Sequence, residues 1–421
     1  MLNPRLFGEQ LRRAHEHDEA AAAPAEARSF APRSAEPASP WSASAVWPKS
    51  WEEIAPEAFI RAPDGVAEVV PANDPMPAEL ALNRALIVIP CLNEADVIER
   101  VIQRVLDDDG LVEPLVLVAD GGSTDGSREI VSDMAARDSR VRLLPNPGRL
   151  QSAGVNLAAR LMGEDRPWLV RVDAHADYPR NYASTLISEA RRTGAQAVVV
   201  AMETRGATPF QRAAAAAQNS RLGTGGAAHR LRASCGWVDH GHHALFNRCA
   251  FDALGGYDES FSHNEDAEFD IRLGAEGGRI WLTDKARIVY HPRRTPRALW
   301  KQYFSYGRGR ARTVLKHYAP LKVRQALPLA VAPAAVLLTA APLFWPLGVP
   351  ALVWAVASLG YGAALALKGR DPAVVLSGPA AMIMHLAWSS GFWTQLVRRF
   401  AGLFSGRPPA KGAARSAQAA R

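Results

Sequence analysis

The chain has 421 residues, 48% of them hydrophobic and 22% charged, which supports a core of more than one domain and excludes whole-chain disorder. The net charge is +7, but the excess sits in two acid-free blocks, seven Lys/Arg in residues 301–324 and six in 398–421. Both blocks border long apolar stretches, as cytoplasmic membrane-proximal segments do, so a nucleic-acid-binding protein is disfavoured.

Residues 1–80 are rich in Ala, Pro, Ser and charge without a sustained period. They are expected to be a mostly disordered extension, with a short helix between Trp47 and Phe59. From Ala85 the pattern changes. Apolar runs at 85–89, 115–118, 141–144, 168–172 and 197–201 read as buried strands, and helix-period stretches at 94–106, 127–137, 151–162 and 181–192 lie between them. This alternation predicts an α/β domain over 81–324, with a doubly wound, mostly parallel sheet that binds ligands at the carboxyl ends of its strands. A helix from Phe210 to Leu222, a strand near 238–246 and a helix around 265–275 are expected next, closing near His291. Residues 325–367 contain no charge and read as two membrane spans turning near Pro346 and Pro350. A third uncharged stretch, 373–397, carries a Ser377-Gly378-Pro379 break and is expected to be re-entrant or to lie along the membrane. It completes a membrane domain over 325–397, and 398–421 form a basic cytoplasmic tail.

Four motifs carry chemistry. Asp120-Gly121-Gly122-Ser123 ends an apolar strand at a glycine turn, where a carboxylate can accept from a nucleobase and the backbone can approach a ligand. It lacks the lysine of a P-loop and the second carboxylate of a haloacid-dehalogenase-type site. Asp173-Ala174-His175-Ala176-Asp177 ends another apolar strand; carboxylate and imidazole together suit Mn²⁺ or Mg²⁺ bridging a diphosphate. His263-Asn264-Glu265-Asp266 opens a helix, where a carboxylate can take a proton from a hydroxyl. Gln302 through Arg312 brings guanidinium groups able to hold a diphosphate. The group His240-Gly241-His242-His243 reads as ordinary strand histidines.

In this order and spacing, before apolar segments, the motifs resemble the family 2 glycosyltransferases, and more narrowly bacterial membrane-anchored enzymes of succinoglycan-type exopolysaccharide assembly. The likeness spans about residues 85–318. It implies a GT-A-type fold followed by C-terminal transmembrane helices. It also implies an inverting transfer from a nucleotide-sugar donor, UDP-glucose first, to a lipid-linked saccharide at the cytosolic face of the inner membrane, within a polysaccharide assembly complex. By the same resemblance Pro90, Asn93, Glu94 and Asp120 contact the nucleotide, Asp173 and His175 hold a divalent metal, Asp266 is the general base, and Arg308 holds the diphosphate. Asp177, Glu265, Gln302 and Arg310 are further candidates. Gln302 with Arg308 resembles the family's Gln-x-x-Arg-Trp element without its Trp. A non-catalytic membrane scaffold and a processive synthase are the alternatives; intact acids speak against the first, and the small number of spans against the second.

Overall fold

The computed structural model describes residues 83–162, 165–231, 235–321 and 323–404; the expected extension at 1–80 and residues 405–421 of the basic tail lie outside them. Nine strands form one sheet: β1 (Ala85–Cys91), β2 (Leu115–Asp120), β3 (Val141–Pro145), β4 (Trp168–Arg171), β5 (Ala176–Asp177), β6 (Ala197–Thr204), β7 (Gly236–Val238), β8 (His243–Asn247) and β9 (Ile280–Tyr290). Their spatial order is β3-β2-β1-β4-β8-β6-β9-β5, with β7 on β9. The first half is parallel throughout, while β8 runs antiparallel between β4 and β6. The chain winds outward from β1 through β2 and β3, then returns to place β4 on the other flank. That reversal opens a crevice at the carboxyl ends of β1 and β4.

Strand period explains the two layers. Ala85, Ile87 and Ile89 of β1 face one core, and Leu86 and Val88 face the other, all fully buried. The first core is covered by α1 (Ile98–Leu106), α2 (Ser127–Arg137) and α4 (Tyr182–Thr193), the second by α3 (Gln151–Leu161) and α6 (Glu265–Ala275). Phe246, Phe251, Tyr257 and Phe269 pack edge-on or tilted in the second, with ring centroids 5.1–5.8 Å apart. The stretch expected as one strand over 238–246 is instead two, β7 and β8, separated by the turn holding Gly241, whose added Cβ would meet the Val199 side chain at 2.5 Å. The helix expected to reach Leu222 stops as α5 (Pro209–Gln218), its start fixed by a Thr208–Gln211 capping box.

Beyond β9, α7 (Pro296–His317) joins this domain to the apolar segment. Val323–Leu338 is apolar but short, and it is interrupted at Ala330. At 1.5 Å per residue it spans about 24 Å, less than the roughly 30 Å hydrocarbon core. Two helical stretches, Trp345–Gly369 and Pro372–Ala401, are long and apolar enough to cross a membrane. The first contains α8 (Val349–Gly369), and just beyond it Asp371 pairs with Arg212 of α5 at 3.0 Å. The second overlaps α9 (Ser377–Phe404), a continuous helix: Gly378-Pro379 does not break it but occupies its first turn, where proline lacks no needed donor. One face of α9 docks on the sheet domain. Ala380, Ala381 and Met384 share a core with Ala214 and Ala217 of α5 and Leu299 of α7.

Glycine sets the α7–α9 distance. A Cβ at Gly307 would lie 1.9 Å from the Trp388 carbonyl oxygen, and one at Gly391 would lie 2.1 Å from that of Phe304. Backbones therefore touch directly, as in small-residue helix crossings within membranes. Gly307→Ala is expected to lower the melting temperature in detergent by separating the helices. Gly360→Ala, where nothing lies within 4 Å, should leave it unchanged or slightly raised. Equal behaviour of the two variants would contradict this packing account.

Candidate active site

The crevice between β1 and β4 is walled on one side by two interlocked loops. Gly121 N–H donates to the Cys91 carbonyl (2.9 Å) and Asn93 N–H to Ser123 Oγ (2.9 Å). Glu94 N–H donates to Ser127 Oγ (2.9 Å), and Thr124 N–H to Asn93 Oδ1 (2.9 Å). Asn93 tolerates the left-handed backbone (φ 59°) this lacing requires. Pro90 fits in a central strand because β4 pairs with β1 only as far as Val88, so the amide it lacks points beyond the ladder. Asp120 is buried at the end of β2, and its carboxylate accepts from Gly122 N–H (2.9 Å) and Ser123 N–H (3.2 Å). Gly122, at φ 95°, supplies the turn that makes this possible.

The opposite wall is the end of β4. Arg171, 7% exposed, places its guanidinium 3.2 Å from Asp173 Oδ1 and 3.2 Å from Glu265 Oε1, and donates to Gln151 Oε1 at 2.7 Å. Burial alone would raise the Asp173 pKa, but Arg171, His242 and His175 hold its carboxyl well below the usual range. His242 Nε2 lies 3.3 Å from Asp173 Oδ2. His175 Nδ1 meets Glu94 Oε1 at 3.3 Å across the crevice, and that contact chiefly raises the imidazole pKa against the effect of burial. Asp177 is drawn away on β5, its carboxylate shared by Arg100 (3.2 Å) and His291 (2.8 Å).

Among the described residues no three His, Cys, Asp or Glu side chains converge as a ready-made metal site. The donor chemistry of β4's end nevertheless suits a divalent ion completed by substrate oxygens. Asp173 offers an ionised carboxylate, and Glu94, 3.3 Å from His175 Nδ1, would orient the ring so that Nε2 could serve as a ligand.

The next contributor to the site is α6. Asn264 enters it in the left-handed region (φ 71°), with its amide donating to Thr313 Oγ1 of α7 (2.9 Å). Glu265 turns inward to Arg171; burial first, then the neighbouring Asp266 charge, raises its pKa. Asp266, one residue on and about 100° around the helix, is half-buried rather than buried and accepts from Ala267 N–H at 2.7 Å. Carboxylates here complement the helix dipole. Gln302 of α7 donates to Tyr290 (2.8 Å) and Tyr306 (3.0 Å), so it anchors the helix to β9. Arg308 keeps a buried Nε without a hydrogen-bond partner and, after burial, is the next cause of the lowered His263 pKa. Arg310 reaches the charges of Asp266 and Asp270 instead.

Two participants escaped sequence reasoning. Arg171 gave one signal, a charge inside an apolar strand run. His242 gave only its place in the 240–243 group, read as ordinary strand residues; the structure puts it in the connection just before β8, against Asp173.

Residues 86–255 match the model of the family described as glycosyl transferase family 2. The chain is 53% identical over 319 residues, 76% of its length and 97% of the relative's, to the succinoglycan biosynthesis protein ExoA of Rhizobium meliloti (strain 1021). Among solved structures, the mannosyltransferase PcManGT of Pyrobaculum calidifontis, in complex with GDP-Man and Mn²⁺, aligns with a TM-score of 0.48 at 20% identity, covering 75% of this chain and 88% of that one. S. aureus TarS aligns with a TM-score of 0.39 at 12% identity, covering 74% and 91%.

Replacing Arg171 by Met would leave Asp173 and Glu265 buried without their cation. Loss of one partner from a buried ion pair typically costs about 3–5 kcal/mol. The expected result is a large drop in thermal stability of the purified protein. An unchanged melting temperature would show that the two carboxylates do not depend on this guanidinium.

Proposed function

The chain belongs to glycosyl transferase family 2, and from that premise we propose that it is an inverting enzyme moving a sugar from a nucleotide-sugar donor, UDP-glucose first, to a lipid-linked saccharide in assembly of a succinoglycan-like exopolysaccharide. It is a glycosyltransferase with a GT-A-type doubly wound sheet; donor, acceptor and residue roles are our reading. The observation that carries it is the Asp173–Arg171–Glu265 bridge, which ties the donor end of β4 to the helix start bearing Asp266.

Asp120, Pro90, Asn93 and Glu94 form the nucleotide wall. Asp173 and His175 would hold a divalent ion, with His242 beside Asp173. When bound, that ion supplies positive charge to the leaving diphosphate. Arg308, whose guanidinium keeps a buried nitrogen unpaired, adds charge from the membrane-proximal side. Asp266 stands at the mouth of α6, exposed enough to meet an acceptor hydroxyl and take its proton as the oxygen attacks the anomeric carbon in line. The nucleoside diphosphate departs on the opposite face, so the configuration inverts and no covalent enzyme intermediate forms. Anchoring confines enzyme and lipid-linked acceptor to one surface.

Asp266→Asn is expected to lower transfer by about 10²–10⁴-fold while leaving nucleotide binding intact, because the amide keeps the shape but takes no proton. Asp173→Ala should instead weaken Mn²⁺-dependent UDP binding. Near-normal turnover of Asp266→Asn at saturating donor and acceptor would sink the base assignment. Absence of turnover by the unmodified protein, across donors and native-host lipid extract, would favour a scaffold.

We also place the catalytic block in the cytosol, at the inner membrane. The Arg212–Asp371 pair supports a return of the chain to the catalytic side after α8. Leu343, 92% exposed in the turn before α8, then lies at the far side. α9, docked on α5 and α7, stays on the catalytic side in this reading; in a background lacking Cys91, Cys235 and Cys249, Leu343→Cys should therefore react with an impermeant maleimide in spheroplasts, while a cysteine at Ala420 should react only after permeabilisation. The reverse pattern would invert the topology.

A further inference from the structure

A cavity of about 470 Å³ opens behind α6, between the edge strand β7 and the first residues of the apolar segment; Asp239, His240, Asp270, Arg310, Arg324 and Gln325 are among its lining. It is separate from the crevice at β1 and β4, and Gly309 shows how. A Cβ on Gly309 would come within 2.6 Å of the His263 carbonyl oxygen and 2.7 Å of Asn264 Cβ, so α7 lies directly across the chain entering α6. Residues two apart on a helix diverge by about 200°. Arg308 and Arg310 therefore flank that crossing on opposite sides. Arg308 falls within electrostatic reach of His263, and Arg310 falls in the cavity beside Arg324.

Of the three arginines in the lining, Arg279 lies over the Trp237 ring, 4.2 Å from its centroid, while neither Arg310 nor Arg324 has a hydrogen bond or salt bridge among the described residues. The carboxylate of Asp270 is turned to His240, with Nδ1 and Oδ2 2.5 Å apart. Burial pulls the Arg310 pKa down even though the Asp266, Asp270 and Asp239 carboxylates act in the other direction; Arg324 adds to the lowering. Two guanidinium groups in one recess, neither bonded to the Asp239 or Asp270 carboxylate that shares its lining, suit a phosphate or diphosphate, which they can grip bidentately. The position of the recess names the source. At one end is Ala267, next to Asp266; at the other the chain enters a helix whose Val323 and Leu327 are 76% and 70% exposed. A molecule with sugar, phosphate and hydrocarbon in that order would meet a base, two arginines and an apolar surface in the same order.

We propose that Arg310 and Arg324 hold the phosphate-bearing head of the lipid-linked acceptor, so that acceptor and donor phosphates are gripped by different arginines on opposite sides of α7. The assignment rests on the lipid-linked acceptor reading above, but its first test does not need transfer.

The full-length protein in detergent is titrated with farnesyl diphosphate, farnesol and inorganic diphosphate, and separately with UDP and Mn²⁺. Farnesyl diphosphate should bind well above the other two lipid-site probes. Arg310→Gln and Arg324→Gln should each weaken it at least tenfold while changing UDP affinity less than twofold. Arg310→Lys should recover part of the loss, which separates charge from misfolding. Arg308→Gln should show the opposite selectivity, losing UDP and keeping farnesyl diphosphate. In transfer assays with native-host lipid extract, the Arg310 and Arg324 variants should raise the acceptor KM and leave the donor KM in place. Unchanged farnesyl diphosphate binding in both Gln variants overturns the site. Equal binding of inorganic diphosphate overturns its lipid character. Weakened binding with an unchanged acceptor KM overturns its role as acceptor site. If the unmodified protein binds farnesyl diphosphate through these arginines yet transfers to no lipid acceptor, the acceptor role fails through the functional reading and not through the chemistry of the cavity.

Discussion

The site is organised around one buried cation. A guanidinium enclosed at the end of β4 would cost several kcal/mol if left unpaired, so the fold must bring anions to it. Arg171 receives Asp173 from its own strand's continuation, Glu265 from α6, Gln151 from α3, and the Tyr257 ring 5.9 Å from its charge centre. The elements that meet there are fixed relative to one another. The backbone of Asp173 is clamped too, its N–H donating to the Tyr178 hydroxyl at 2.7 Å while that hydroxyl donates back to the Asp173 carbonyl at 3.0 Å. The distance between the end of β4 and the start of α6 is consequently a property of the core rather than of flexible loops, as a positioned reaction requires.

The second constraint connects this core to the apolar helices. Glu268 is fully buried on α6 and is reached by Arg272 (2.8 Å), Lys316 (2.7 Å) and His317 (3.0 Å), the last two from the end of α7. The middle of α7 is pressed against α9 at Gly307 and against His263–Asn264 at Gly309. One helix thus touches the catalytic block on one side and the apolar segment on the other, with no side chain between backbones at either contact. Displacement of α9 would be transmitted to the start of α6 through contacts too short to absorb it.

The sheet's first half was legible because its strands are buried on both faces and therefore read as unbroken apolar runs, with glycine and aspartate turns between them. The loops after β1, β2 and β4 were legible for the same reason: each begins where such a run stops. Other features depend on pairings between residues far apart in the chain. Arg171 meets Glu265 across 94 positions, and no local pattern announces it. The split between β7 and β8 follows from the close approach of Gly241 to Val199, which period alone does not encode. In the apolar segment, counting uncharged residues predicted two spans from 325–367. The first helical stretch instead ends at Leu338, too short to span, and the Gly378-Pro379 pair begins a helix rather than ending one. Composition measures what a segment can be surrounded by; helix length depends on where proline and glycine fall within it.

The departure from the family's Gln-x-x-Arg-Trp element has a physical origin in the same contacts. The residue after Arg308 is glycine where the resemblance would place tryptophan, and at that position a single added carbon would fall 2.6 Å from the His263 carbonyl oxygen. No side chain is accommodated there unless α7 lifts off the start of α6. Gln302 likewise does not sit on Arg308's face of the helix: it reaches Tyr306, one turn further on, and Tyr290 at the end of β9. In this chain the element anchors α7 by a tyrosine-bound glutamine and a backbone crossing, and its arginines, freed from a common face, diverge to either side of the helix that carries Asp266.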